Sequence, residues 1–588
     1  MAENYEYLYS GGSSTLDPTY GDLFTGYRIS AGSIGAPTSP QTADQIREVS
    51  SRLNEGMKSV ELSVIQPEIF DTIPKQHLQE INRLSKLTGS ETSVHAPIID
   101  PAGFSKEGWS EAERETAERQ LFGIVERSHE LNPDGNIPVT IHASALPGTE
   151  YRVPREGLPG GEEEMIIAVN QETGQMVPAR RIQRYYPETG KEANIISARD
   201  ELATINRSEW SNNLIRLKQF KKMADELIEP ALKEAAPLLY KVSTGSSLTE
   251  EEKKIFPQYE DKINRGLSFL QNSSAMIRSF YHEAYKFGNE EERKLLEASS
   301  EEYRKALKES TKGSYIKYVQ NQTHAVDSLI NALSKAEPQL YKPIEDFAID
   351  KASTTLGNVA FNSFNKYGDS APLISIENVP VGQAISRAED LKKLIVESRE
   401  KFVENAVKNG ISESEGRRQA EKLIGATWDV GHINLLRKGG FGKEKIIEET
   451  KKIAPYVKHV HLTDNFGFAD THLPIGMGEV PTKEMMKELE KAGYSGKHIV
   501  EAGGFVAQFK TSSHPYVLEA LGSPLYSAYM QPFWNQARGT SGNYSAGYGT
   551  MLPEQHFSMY GAGFSTLPTE LGGQLPGKQS RFSGTPTE

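Results

Sequence analysis

The sequence predicts an α/β protein built on a closed (β/α)8 TIM barrel, with a large, mainly helical insertion after the fourth strand and flexible terminal tails. Three observations predict it. Eight short apolar or β-branched runs recur along the chain, helical periodicity follows most of them, and six successive runs close on an imidazole or a carboxylate. Strands alternating with helices give a parallel sheet, and eight such units close into a barrel.

The runs are Tyr27–Ala31, Val60–Ile65, Thr92–Ala96, Pro138–Ala143, Leu373–Asn378, Ala426–Val430, Val457–Leu462 and His498–Ala502. Helical patterns cover Thr42–Leu53, Lys75–Leu87, Ser110–Glu130, Lys443–Ile453 and Lys483–Ala492. The spacing breaks once, between His142 and Leu373, where a βαβ unit needs only about 30 residues. The excess reads as an insertion over 147–345, between barrel parts at 24–146 and 346–522. It begins with a hairpin over Met165–Tyr186, turning at Gln171-Glu172-Thr173-Gly174, and a second turn follows at Pro187-Glu188-Thr189-Gly190. From Ala198 to Glu345 the pattern is helical, broken at Thr244-Gly245-Ser246-Ser247 and at Gly288-Asn289. Because it leaves the C-terminal end of a barrel strand, the insertion is expected over or beside the mouth. Residues 1–23 form an N-terminal tail and 523–588 a Gly/Tyr-rich C-terminal extension.

Composition narrows the chemistry. The chain has 588 residues, 37% of them hydrophobic and 25% charged, which suits a packed barrel with additions. Cysteine is absent, so disulfides, thiol nucleophiles and thiolate metal sites are excluded. A transition-metal site must then use imidazole and carboxylate, and 13 histidines are available. The net charge of −13 argues against broad attraction to nucleic acid or to a membrane surface. Neither a signal peptide nor a membrane span is legible, so a soluble cytoplasmic protein without a membrane partner is expected.

The strand ends carry the functional signal. They read Val94-His95-Ala96-Pro97, Ile141-His142, Ile376-Glu377-Asn378, Asp429-x-x-His432, His461-Leu462-x-Asp464 and Val500-Glu501, with Asp470-Thr471-His472 in the loop after the seventh. Barrel strands converge on one mouth, so these groups share a volume. Crowded carboxylates repel unless cations lie among them, and a mixed His and carboxylate set suits Zn2+, Mn2+ or Fe2+. His459 points to the same side as His461 but deeper, as a core or supporting residue.

In this order, the motifs resemble those of endonuclease IV, within the superfamily of xylose-isomerase-like barrels. The run His472-Leu473-Pro474-Ile475-Gly476-Met477-Gly478-Glu479 is similar to that family's glycine-rich stretch. The resemblance covers the barrel and not the insertion or tails. It implies up to three Zn2+ ions. His95 and His142 would bind the first, with Glu377 bridging to a second completed by Asp429, His461 and Glu501. His432, Asp470 and His472 would hold the third. It further implies phosphodiester hydrolysis, with DNA as partner and an abasic site as the place of cleavage.

Departures from that family and a rival reading accompany it. Ile98-Ile99 stands where the family has an aromatic-plus-aliphatic wedge, and Gln66-Pro67-Glu68 lacks its Arg. Arg180, Arg181 and Arg184 beside Tyr185 and Tyr186 offer a phosphate-contacting patch. The rival is a single-metal sugar or sugar-phosphate isomerase or epimerase. There Glu377, Asp429, His461 and Glu501 hold one ion, and the two catalytic glutamates, Glu377 and Glu501, shuttle protons. A binding or scaffold protein working through its insertion is the third reading.

Overall fold

The computed structural model describes residues 31–521, except 65, 106–107, 186–192, 311–313 and 510–511. Eight strands form a closed barrel: β1 (Ile34–Pro37), β2 (Ser59–Ser63), β3 (Glu91–His95), β4 (Pro138–His142), β5 (Leu373–Glu377), β6 (Ile424–Asp429), β7 (Val457–Leu462) and β8 (His498–Val500). Each is parallel to its neighbours, and β1 closes on β8 through Ile34 opposite His498.

Seven strands lie within two residues of their expected starts, but the first does not. Tyr27–Ser30 fall outside the described residues, Ala31 opens a short 3-10 turn, and the strand begins at Ile34. Its sequence, Ile34-Gly35-Ala36-Pro37, carries weak strand signals because packing sets it. A Cβ at Gly35 would strike Ser59 on β2 and Ile499 on β8.

Between β4 and β5 the chain builds a second body. Strand Glu163–Asn170 pairs antiparallel with Met176–Arg180 through the turn at Gln171–Gln175, and also with Glu150–Tyr151 and the returning Tyr341–Pro343. Ile182–Tyr185 pairs with Ala193–Ile196, and the turn at Pro187–Gly190 lies outside the described residues. Four helices follow, Ala198–Ser243, Glu250–Phe287, Glu290–Ser310 and Tyr315–Lys335. Ser197 and Thr249 cap the first two, Thr249 in a reciprocal box with Glu252. Their apolar faces enclose a separate core that includes Leu217, Ile228, Leu270, Val319 and Leu333 with Ile166 of the sheet.

This body is tied to the barrel beside β5 and β6. Gly148 N–H donates to Gly382 O at 2.8 Å and Val153 N–H to Gly439 O at 3.0 Å. Arg387 donates to Glu449 at 2.8 Å and to Glu162 at 3.1 Å while lying over the Tyr151 ring. No described helix is long and apolar enough to cross a membrane.

Candidate metal centre

Each candidate ligand owes its position to the strand that ends there. His95, His142, Glu377 and Asp429 are the last residues of β3, β4, β5 and β6, His461 is next to last on β7, and Glu501 directly follows β8. Asp429 also caps the short helix Val430–Asn434. Its Oδ1 accepts from Gly431 N at 2.7 Å, His432 N at 2.9 Å and Thr463 Oγ1 at 2.7 Å, which leaves Oδ2 for the mouth. Asn378 clips β5 to β6 through Asp429 N and O. Its own carbonyl receives His432 Nδ1 at 2.7 Å, so His432 Nε2 faces inward.

The loop after β7 is folded by Asp464. Its carboxylate accepts from the backbone N–H of Asn465, Gly476, Gly478 and Val480 at 2.8–3.0 Å, and Asp464 and Leu473 exchange backbone bonds. A side chain at Gly478 would collide with that carboxylate, which accounts for the glycine-rich stretch. The clamp brings Asp470 and His472 back over the mouth, with His472 in the left-handed region at φ 46°.

All nine predicted residues join one network of polar contacts no longer than 4.0 Å. Glu377 Oε2 meets His95 Nε2 at 3.2 Å and His142 Nε2 at 3.1 Å, and its Oε1 meets His461 Nδ1 at 2.7 Å. His461 Nδ1 also lies 3.3 Å from Glu501, whose other oxygen is 3.6 Å from His472 Nδ1. Asp470 Oδ2 receives His472 Nε2 at 3.0 Å and His432 Nε2 at 3.3 Å, and His432 Nε2 is 4.0 Å from Asp429 Oδ2. Two expected sets, His95–His142–Glu377 and His432–Asp470–His472, thus form metal-sized groups. The third does not form as drawn: His461 and Glu501 group with His95, and Asp429 groups with Glu377 and His432.

Electrostatics follow from that pairing. Burial opposes charge on His95, but the Glu377 carboxylate pushes it up to about 9. Burial likewise opposes charge on His432 and His472, yet Asp429 and Asp470 push the first up to about 10, and Asp470 and Glu501 push the second up to about 9. Burial would raise Glu377, and the imidazoles of His461, His142 and His95 hold it well below the carboxylate range. Among the nine residues, two acceptors are left over. Asp429 Oδ2 and Asp470 Oδ1 are buried with no hydrogen-bond partner, as expected of oxygens shaped for a cation.

Sequence reasoning missed Glu61. It lies mid-strand on β2, fully buried, and accepts from Ser93 Oγ at 2.8 Å and His459 Nε2 at 3.0 Å. A carboxylate inside an apolar run, Val60-Glu61-Leu62, was the available signal. His459 sits one layer below His461, as its spacing predicts.

The centre floors a cavity of ≈ 600 Å³ lined by barrel loops, among them Thr38, Ile98, Ala145, Gln383 and Gly503. Beyond Ala145 and before Pro380 no described residue lines it. Two of the three arginines of the patch are paired within the insertion, Arg181 with Glu164 at 2.8 Å and Arg184 with Glu201 at 2.7 Å, while Arg180 is exposed. Of the Ile98-Ile99 pair only Ile98 is exposed.

Comparison with known proteins agrees with this architecture. Residues 404–512 match a family described as xylose isomerase-like TIM barrel. The chain is 34% identical over 80 residues to an uncharacterized protein of Methanocaldococcus jannaschii, covering 14% of this chain and 26% of that one. It is 30% identical over 78 residues to fructoselysine 3-epimerase of Shigella flexneri, covering 13% of this chain and 27% of that one. The chain therefore spans about a quarter of the length of these curated relatives. A crystal structure of a D-tagatose 3-epimerase-like protein aligns at TM-score 0.35 and 14% identity, over 83% of this chain and 98% of that one, too low to bear on function. The fold is a closed (β/α)8 barrel, and over residues 404–512 its sequence is similar to the xylose isomerase-like family.

Proposed function

We propose that this protein is a metal-dependent isomerase or epimerase of a small polyhydroxylated carbonyl compound, with Glu377 and Glu501 as its proton-transferring pair. One observation carries the reading: His461 Nδ1 lies between those glutamates, 2.7 Å from Glu377 and 3.3 Å from Glu501, on the floor of a cavity of small-molecule size. The partial likeness to fructoselysine 3-epimerase supports it, as does the internal pairing of Arg181 and Arg184, which leaves these cations neutralised. Glu377, Asp429, His461 and Glu501 would hold the ion, and the unpartnered Asp429 Oδ2 fits that role. A divalent ion, Zn2+, Mn2+ or Fe2+ by its donor set, would polarise the substrate's carbonyl oxygen and acidify the neighbouring C–H bond. One glutamate takes that proton as the other delivers one, and His95 and His142 hold Glu377 in place.

The test is metal analysis of protein purified without added metal or chelator, followed by incubation with ketoses in deuterated water. About one ion per chain, with deuterium entering at the carbon beside the carbonyl, is expected. About three ions and no exchange would sink the reading.

A second reading is favoured by one specific cluster. His432 and His472 both address Asp470 Oδ2 while Asp470 Oδ1 stays unpartnered, an additional chelating set that single-ion proton transfer leaves unused. With up to three Zn2+ ions, such a centre would hydrolyse phosphoesters in the manner of endonuclease IV, DNA included. Release of the deoxyribose 5′-phosphate end from abasic duplex is its assay.

A further inference from the structure

Beneath the centre lies a group that neither reading uses. Glu61 on β2 reaches across the barrel interior to β7, where its two oxygens face two histidines. Oε2 accepts from His459 Nε2 at 3.0 Å and from Ser93 Oγ, its register neighbour on β3, at 2.8 Å. Oε1 lies 3.1 Å from His461 Nε2 but off the line of a hydrogen bond, and both atoms are buried with no other partner. Two complementary, buried and otherwise unpartnered atoms thus face each other at 3.1 Å.

We propose that Glu61 is the positioning residue of the centre: it takes the Nε2–H of His461 and so leaves Nδ1 to face Glu377 and Glu501. A ligating histidine usually gives its other N–H to a carboxylate, which fixes the ring and makes the ligating nitrogen a stronger donor. Here the supporting carboxylate is itself held, by Ser93 on one side and by His459 below. With no exposed surface, it has no competing contact with water.

The inference rests on His461 being a ligand, so the unaltered protein is titrated first. Co2+ is added to metal-free protein and its visible bands are followed; no binding would sink the ligand assignment itself. Given binding, Glu61→Gln keeps the shape but removes the charge. It should leave the number of Co2+ ions per chain unchanged, weaken Kd roughly 10- to 100-fold and shift the bands. Ser93→Ala keeps the carboxylate and loosens it, so a smaller loss in Kd is expected. An unchanged Kd and spectrum for Glu61→Gln would overturn the proposal. So would the loss of a whole ion per chain, because Glu61 would then be a ligand. If circular dichroism shows that Glu61→Gln does not fold, Ser93→Ala decides alone, and an unaltered Kd there counts against the proposal.

Discussion

Glu377 Oε1 and His461 Nδ1 meet at 2.7 Å across the barrel mouth, reaching from β5 and β7 over the end of β6. Glu377 also receives His95 and His142, so three imidazoles depend on one fully buried carboxylate. Replacing it removes a proton carrier and loosens three strand ends while preserving shape. Glu377→Gln should therefore lower turnover by about 10²- to 10⁴-fold, with the far-UV spectrum unchanged. Turnover within tenfold of the parent would remove Glu377 from the mechanism.

The outer cluster separates the two functional readings. His472 adopts φ 46° and contacts only the rim carboxylates of Asp470 and Glu501 among its ion pairs. For a single-ion isomerase, His472→Ala should keep the bound metal and raise KM more than it lowers kcat. Loss of about one ion per chain in elemental analysis would put the multinuclear hydrolase first.

The metal-free protein should weaken towards alkaline pH. His95 and His472 stand near 9 and His432 near 10, all above the ordinary 6.5. Groups raised in this way stabilise fully below about 6.5, and the contribution drains away as pH climbs through 9 and 10. Asp470, held below the usual range by His432 and His472 against its burial, loses its share at the acid end. The melting temperature without metal should fall from pH 6.5 to pH 10, and metal binding at pH 7 should release protons to the buffer. A flat profile, or calorimetric heats independent of buffer identity, would contradict the pairing.

Arg387 is the joint between the two bodies. It neutralises Glu449, which is fully buried, and reaches Glu162 in the inserted segment. Arg387→Ala would leave the buried carboxylate with only the Ala388 N–H and the more distant Lys452, and should cost about 3–5 kcal/mol in chemical denaturation. Glu449→Gln added to that background should recover part of the loss. A cost under about 1 kcal/mol would mean that the joint is idle.

How much was legible depended on whether the signal was local. Six strand ends were readable because parallel strands in a closed barrel deliver their last residues to one place. The hairpin at Gln171–Gln175 was readable because a turn carries its own residue chemistry. β1 was not, since Gly35 answers to Ser59 and Ile499 and not to its neighbours in sequence. Glu61 was missed for a similar reason: what marks it is Ser93 and His459 on other strands. Arg181 and Arg184 read as a free cationic patch only because Glu164 and Glu201, which neutralise them, cannot be matched to them by pattern.

The second core has a consequence for how the chain folds. His142 and Glu377 are register partners, yet the whole inserted body separates them along the chain. Joining β4 to β5 through an unstructured loop of that length would cost about 2 kcal/mol more than closing a loop of βαβ size. The inserted helices make mostly near-neighbour contacts and enclose apolar residues of their own, so they can collapse early. Once folded, they hold Glu150–Tyr151 and Tyr341–Pro343 on the same strand, Glu163–Asn170. With both ends of the excursion held on one strand, what looks like an interruption acts as a clasp that shortens the loop β4 and β5 must close.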